Sequence, residues 1–151
     1  MATRNPLAGH RRTVVYVVNP PDLQPIIDRV RGVLTDDLLH PVYRRRPRTI
    51  NTAGHCYVAS EAVWWAYARD AGFRPYHIVH ESESHWFLVH RLVDAFDDHA
   101  PEWWTVIDAT HDQFTTPVPY RNGRRATFLT PHHPSARAIT VMERMGVPIP
   151  A

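Results

Sequence analysis

Three strand-like segments that follow one another without an intervening helix constrain the fold most. Each is rich in β-branched and aromatic residues, and breaks containing glycine or acidic residues separate them; they cover residues 75–80, 85–93 and 103–110. Helical patterns precede this meander rather than alternate with its strands. The sequence therefore favours an α+β fold, with a small antiparallel sheet, over a chain of βαβ units.

The clearest helical pattern covers residues 57–71, with Gly72 as its C-terminal stop. Cys56 lies in its first turn. The side chains expected to face the core share one stripe of the helix: Val58, Ala59, Ala62, Val63, Ala66 and Tyr67. We expect this helix to be central and buried against the sheet.

Shorter patterned segments complete the expected fold. They predict a strand over residues 13–18, helices over 22–34 and 135–145, a tight Asn-Gly hairpin within 121–124, and a short strand over 126–129. A length of 151 residues suits one domain, so residues 1–151 are expected to form a single domain with a loose arm at 1–12.

Composition excludes several classes of protein. The 44% hydrophobic and 21% charged residues are globular proportions, and no apolar run approaches the ~20 residues that span a bilayer. The N-terminus lacks the apolar core of a signal peptide, so we expect the protein in the cytoplasm. All 17 basic residues are Arg, which is typical of high-GC genomes such as those of actinobacteria and their phages. A net charge of +2 does not by itself favour nucleic acid.

The cysteine and histidine pattern argues against a metal site. One cysteine excludes an internal disulfide and the Cys₄ and Cys₂His₂ zinc sites. His80 and His85 are five residues apart, not the four of a His-Glu-x-x-His zinc helix. We expect neither a metal nor a cofactor.

Cys56 is the strongest candidate for chemistry. A lone cysteine is usually a small buried hydrophobe, and this is the alternative. However, Cys56 opens a helix, where unpaired backbone N–H groups and the positive end of the helix dipole favour a thiolate. Only the thiolate attacks a carbonyl carbon well.

Two residues can complete a thiol-based site. A nucleophilic thiol needs a proton carrier, normally His, and often a third group that orients it. His85 begins the second strand and Asp108 closes the third. Pairing these strands about the connection at 94–101 predicts His85 opposite Asp108 and Val89 opposite Trp104, with paired side chains on one side of the sheet. The alternatives are a surface His85 and a turn-forming Asp108.

This ordered set resembles the transglutaminase-like and papain-like cysteine superfamily. The resemblance rests on Gly54-His55-Cys56, on His85-Trp86, and on Ile107-Asp108-Ala109-Thr110 followed by Gln113-Phe114; it covers residues 51–114. His-Trp is similar to the His-Ala-Trp run of many transglutaminase-like sequences, and Asp-Ala-Thr to their Asp-Pro-Thr. Two features depart from the pattern: Tyr57 stands where Trp usually follows the Cys, and the upstream oxyanion Gln of papain is absent.

The resemblance implies a Cys-bearing helix packed on the sheet and a role for each residue. Cys56 would be the nucleophile, His85 the general base and then acid, and Asp108 the group that orients the imidazole. The oxyanion would accept a hydrogen bond from the Cys56 backbone N–H and from a second donor. Asn51 is the candidate for that donor, with a loop-capping role as the alternative. Trp86 either shields the site next to substrate or packs as core.

We therefore expect thiol-dependent acyl transfer at an amide or related carbonyl of a protein or peptide. Hydrolysis or deamidation is favoured over transamidation. The alternative is a non-enzymatic module that binds nucleic acid or a protein through Arg-rich loops, with a decayed site. Those loops are at 44–48 and at Arg121, Arg124 and Arg125. No membrane partner is expected, and the oligomeric state is left open.

Overall fold

The computed structural model describes residues 12–39 and 55–151. Three helices and five strands are described, in the order β1 (Val14–Val18), α1 (Gln24–Arg31), α2 (Cys56–Val63), β2 (Arg74–His80), β3 (Glu83–Leu92), β4 (Glu102–Ile107), β5 (Arg124–Arg125) and α3 (Ala136–Met145). Short 3₁₀ turns lie between them. The mixed α+β class expected from the sequence is confirmed.

The five strands form one sheet in the order β1-β4-β3-β2-β5. The meander β2-β3-β4 is antiparallel as predicted, and β5 adds antiparallel to β2. β1 instead runs parallel to β4, so the expectation of a wholly antiparallel sheet is wrong at this edge. A parallel pair needs a long crossover, and here α1, α2 and the first two strands of the meander lie between the partners.

The three helices cover one face of the sheet, here called the helical face. Leu88 and Ile107 of the central strands meet buried helical side chains, among them Ile27, Val30, Ala59, Ala62, Val63, Val141 and Met142. Beyond Val63, α2 continues as a π-helical turn, Trp64–Ala68. The wider turn changes which side chain points inward: Ala68 is buried, whereas Tyr67, expected in the inner stripe, is 41% exposed.

The opposite face, here called the loop face, is covered by residues 114–120. Val118 and Tyr120 pack on buried residues of the sheet, namely Tyr76, Ile78, Phe87, Val89, Trp104 and Val106. The turn between β2 and β3 holds this segment: the Glu81 carboxylate accepts hydrogen bonds from the backbone N–H groups of Thr115 and Thr116. Bonds from these two residues, with the Thr115 hydroxyl bond the largest cause, lower the pKa of Glu81 to about 2.

The register of β3 against β4 differs by two residues from the predicted one. Val89 lies opposite Val106, and Arg91 lies opposite Trp104. Contacts that strand patterning does not report hold the connection between these strands, including hydrogen bonds from Arg12, which is distant in sequence, to the carbonyls of Asp94 and Asp97. A shift of two leaves each side chain on its predicted face, because alternation along a strand has a period of two.

The Asn122-Gly123 pair does not form the predicted hairpin. The 3₁₀ turn Tyr120–Asn122 leads into β5, and residues 126–129 form no strand, so the strand predicted there begins two residues too late. Gly123 has a φ of −67°, which any residue adopts. The glycine is required by close approach, because a Cβ at this position would lie 2.6 Å from Phe87 Cζ.

Candidate active site

The site forms where β4 ends and leaves the first half of β3 without a strand partner on that side in the described sheet. The last pair of the β3–β4 ladder is Leu88 with Ile107. α2 takes the place of the missing strand. Cys56 Sγ donates to Ser84 O at 3.6 Å, and Ser60 Oγ donates to Trp86 O at 3.1 Å. Two side chains four residues apart on one helical face therefore fix the start of α2 against the strand.

His85 is fully buried beside this helix start. Its Nε2 lies 2.7 Å from Asp108 Oδ2, and the ring packs edge-on against Phe114 with centroids 4.8 Å apart. The predicted direct pairing of His85 with Asp108 is replaced by a diagonal one, because of the register shift. Diagonal neighbours on one face remain within reach of such side chains.

Asp108 is held on both sides of its carboxylate. Oδ1 accepts from the Thr110 backbone N–H at 3.2 Å, and Oδ2 accepts from the Tyr120 hydroxyl at 2.8 Å. The Asn19 side chain brackets the backbone: its Nδ2 donates to Asp108 O at 2.8 Å, and its Oδ1 accepts from Asp108 N at 2.7 Å. Beyond the last pair of the parallel β1–β4 ladder, the Asn19 side chain thus makes the hydrogen bonds to the β4 side that a further backbone residue would make.

Opposing influences set the protonation of His85. Burial disfavours the imidazolium, but the interactions of the ring with Asp108 and with the nearby Cys56 outweigh it and raise the pKa of His85 to about 9. Asp108 occupies Nε2, and Nδ1 is buried without a hydrogen-bond partner. Nδ1 is therefore the nitrogen left for the neighbouring thiol, whose proton points to Ser84 O.

Cys56 is 7% exposed and is the first residue of α2. The first backbone N–H groups of a helix have no partner within it and form its positive end. This arrangement can stabilise a thiolate and, later, an oxyanion formed next to it. The one cysteine of the chain thus stands between a helix start and a protonatable imidazole.

Of the two further candidates from the sequence, one lies outside the described residues and the other lies apart from this cluster. Asn51 lies outside the described residues. Trp86 is half-buried on the helical face, where its ring stacks on Phe128 at 5.5 Å and meets Tyr57 edge-on at 4.9 Å. This is a core environment, and a contact of Trp86 with substrate stays a prediction.

Sequence reasoning missed two residues that hold the cluster. The sequence patterns assign a role to neither Asn19, which follows the strand predicted over residues 13–18, nor Tyr120. Asn19 is separated from Asp108 by 89 positions, and no local pattern reports that β1 pairs with β4. Tyr120 depends in the same way on how residues 114–120 cross the sheet.

The remaining sequence signals show no second constellation among the described residues. In ranges 12–39 and 55–151, no group of three or more His, Cys, Asp or Glu side chains could hold a metal ion. His80, from the rejected zinc pattern, contacts Thr116 and Glu81 instead. Arg121, Arg124 and Arg125 are exposed near the β5 edge, and the Arg-rich stretch at 44–48 lies outside the described residues.

Comparison with known proteins gives no relative: no family model, curated protein or solved structure matches this chain. In the part of the chain that the structure describes, no helix has the length and apolar character needed to cross a membrane.

Proposed function

We propose that this protein is a thiol-dependent acyl-transfer enzyme in which Cys56, His85 and Asp108 act as a triad. The observation that supports it most is the buried 2.7 Å contact between His85 and Asp108, next to the only cysteine and at a helix start. A structural cysteine needs only an apolar pocket. A buried imidazole paired with a carboxylate on one side and unpartnered on the other is suited to carry a proton.

Acylation would begin with transfer of the Cys56 proton to His85 Nδ1. The thiolate attacks the carbonyl carbon of an amide, an S–C bond forms, and the carbonyl π electrons move to the oxygen. The Cys56 backbone N–H donates to that oxyanion, and Asn51 is the proposed second donor. When the C=O bond re-forms, the C–N bond breaks, and His85 returns its proton to the leaving amine.

Deacylation would reverse the roles. Water, or an amine, attacks the thioester while His85 accepts its proton, and Cys56 leaves as the thiolate. Asp108 keeps its charge throughout and stabilises the imidazolium that forms twice in the cycle. Hydrolysis or deamidation of a protein or peptide is the favoured outcome, and transamidation is the second.

The helix-on-sheet arrangement supports a further proposal, that this is a transglutaminase-like or papain-like core. In that superfamily, as in this arrangement, a Cys-bearing helix packs against a strand that carries the His, and the acid comes at the end of the next strand. The proposed place of action is the cytoplasm, since the chemistry requires a reduced thiol and reducing conditions preserve one.

A covalent intermediate is the direct test. The protein is incubated with a neutral N-acyl amino-acid aryl ester, and intact-mass spectrometry follows addition of the acyl group. Because the chain has one cysteine, an adduct that hydroxylamine removes and Cys56→Ala abolishes is a Cys56 thioester. Adding an amine should partition the intermediate between acid and amide products.

Ser60→Ala is the matched control. Ser60 lies on the same helical face as Cys56 and also anchors α2 to a β3 carbonyl, so its loss reports on anchoring without removing the nucleophile. We expect Ser60→Ala to keep most of the acylation rate. A wild-type protein that forms no adduct at Cys56, yet binds a nucleic acid or a protein through Arg124 and Arg125, would establish the binding-module alternative.

A further inference from the structure

Tyr120 shares an acceptor with His85. Its hydroxyl donates to Asp108 Oδ2 at 2.8 Å, and His85 Nε2 lies 2.7 Å from the same oxygen. The other carboxylate oxygen accepts from the Thr110 backbone N–H. All three side chains are buried, with Tyr120 only 5% exposed. One carboxylate oxygen therefore serves two donors in a dry environment, where such bonds are strong.

We propose that Tyr120 is a positioning residue for the triad: through Asp108 it fixes the carboxylate and limits how strongly that carboxylate holds the imidazolium of His85. The proposal rests on the proposed function and assigns a residue to that same site.

The physical reason is competition for one oxygen. A hydroxyl that donates to a carboxylate stabilises its charge and makes that oxygen a weaker acceptor for a second donor. Without the hydroxyl, Asp108 Oδ2 would interact with His85 alone and would hold its proton more tightly. An imidazolium held too tightly is a poor general acid for the leaving amine.

The phenol is suited to act only as a donor. Burial, followed by the neighbouring charge of Asp108, raises the pKa of Tyr120 above its ordinary value, so the hydroxyl keeps its proton. It cannot exchange roles with His85 or compete for the thiol proton.

The ring of Tyr120 is held independently of its hydroxyl. It packs edge-on against Phe87, with centroids 5.0 Å apart, and against Tyr16 at 5.9 Å. It also lies in the 3₁₀ turn that ends at Gly123, where the chain passes close to Phe87. Tyr120→Phe therefore removes one hydrogen bond and keeps the packing.

The groups that influence His85 and its partners come from several elements. Cys56 of α2 and His77 of β2 interact electrostatically with the imidazole, and Arg31 of α1 with Asp108. Tyr16 of β1 faces Tyr120. Tyr120→Phe changes none of these groups, so a change in the titration of His85 would report the lost hydroxyl.

The test compares Tyr120→Phe with Tyr76→Phe. Tyr76 is equally buried on the same face and also packs on Phe87, so it is a matched loss of a buried hydroxyl away from Asp108. NMR of the imidazole ring is measured across pH. We expect the midpoint of His85 to rise by about one pH unit in Tyr120→Phe and to stay unchanged in Tyr76→Phe.

Turnover gives a second readout. For an N-acyl amino-acid anilide, whose leaving amine takes its proton from His85, Tyr120→Phe should lower kcat about tenfold with KM unchanged, and the alkaline limb of the pH profile should move upward with the NMR midpoint. An unchanged midpoint in Tyr120→Phe, or equal shifts in the two variants, would reduce Tyr120 to a packing residue. A wild type without a Cys56 adduct would defeat the proposed function, while the NMR midpoint would still decide whether Tyr120 acts on His85.

Discussion

On the loop face, two acid–base pairs connect β3 to β4 and the residue that follows it, and they differ in the properties that decide whether a proton can be transferred. His85 with Asp108 lies at the end where α2 begins; Arg91 with Glu102 lies six residues further along β3, ~20 Å away by strand geometry. In both pairs a neighbouring side chain donates to the acid. Tyr120 does so to Asp108, and the Trp104 indole does so to Glu102 at 2.8 Å.

The difference lies in exposure and in the base. The Arg91 side chain is 48% exposed, whereas His85 and Asp108 are both fully buried. Arg91 stays charged at any pH the fold survives, and its pairing lowers the pKa of Glu102 despite the burial of that acid. The same cross-strand geometry therefore gives a fixed ion pair at one end. At the other it gives a proton carrier, and only that end has a cysteine beside it.

The two pairs should differ most in how the acylation rate responds when the basic side chain of each, His85 or Arg91, is replaced. We expect His85→Gln to slow acylation of Cys56 by about 10³-fold or more, because a thiol and its base act as a unit. Arg91→Gln should change the rate less than about threefold, since it touches no reacting group. Stopped-flow release of the aryl alcohol measures both.

The double variant checks that the loss belongs to the triad. Release of the aryl alcohol should be no slower in the double variant Cys56→Ala with His85→Gln than in Cys56→Ala alone, since either change already removes the thiol–imidazole unit. Additive losses would mean that His85 acts elsewhere and would break the proposed link between them.

Between about pH 6 and about pH 10, the stability of the fold should depend on pH through only one of the two pairs, because Glu102 stays ionised over this interval. Asp108 and Cys56 raise the pKa of His85 from its ordinary 6.5 to about 9, although burial opposes this. The folded state then holds a proton that the unfolded chain releases between these values. The resulting stabilisation, about 3 kcal/mol, is fully present below pH 6.5 and is lost as pH rises through 9.

Urea unfolding at about pH 6 and about pH 10 measures this loss. The free energy of unfolding of the wild type should fall more steeply over this interval than that of His85→Gln, while Arg91→Gln should follow the wild type. Parallel curves for wild type and His85→Gln would contradict the raised pKa of His85.

Local residue patterns and the two-residue period of strands determine how much of the fold and of the candidate site can be predicted from the sequence. The sequence predicts Cys56 at the start of a helix and His85 near the start of a strand, as the structure has them, and Asp108 lies one residue beyond the strand that it was expected to close. Their faces survived a two-residue error in register because alternation has a period of two. The meander could be predicted because its pairings are between consecutive segments.

What could not be read depends on distant contacts. The parallel pairing of β1 with β4 brings Asn19 to Asp108, and the crossing of residues 114–120 brings Tyr120 there. Gly123 shows that a local motif can also predict a structure that distant contacts overrule. Its Asn-Gly context predicts a hairpin, but the approach of Phe87, which is remote in sequence, sets the requirement for glycine.

Changing the acid without changing its shape sharpens the contrast further. Asp108→Asn keeps the side-chain volume and removes the larger of the two influences that oppose burial, so the pKa of His85 should fall well below about 9. We expect acylation about 10²-fold slower at neutral pH, a smaller loss than for His85→Gln, because an orienting group is lost rather than the proton carrier. NMR titration of His85 together with the pH profile tests this, and a midpoint that stays near pH 9 would show that Asp108 does not control the imidazole.

The smallest effect is expected from the pair at the other end. Glu102→Gln keeps an acceptor for the Trp104 indole and removes only the charge facing Arg91. Because Arg91 is about half exposed, a double-mutant cycle of Glu102→Gln with Arg91→Gln should give a coupling of about 1 kcal/mol or less, and added salt should reduce it. Acylation of Cys56 should be unchanged in all three variants. A coupling of several kcal/mol, or a slower acylation, would mean that the two pairs communicate through β3 and β4. The separation between a structural and a chemical end of the same two strands would then fail.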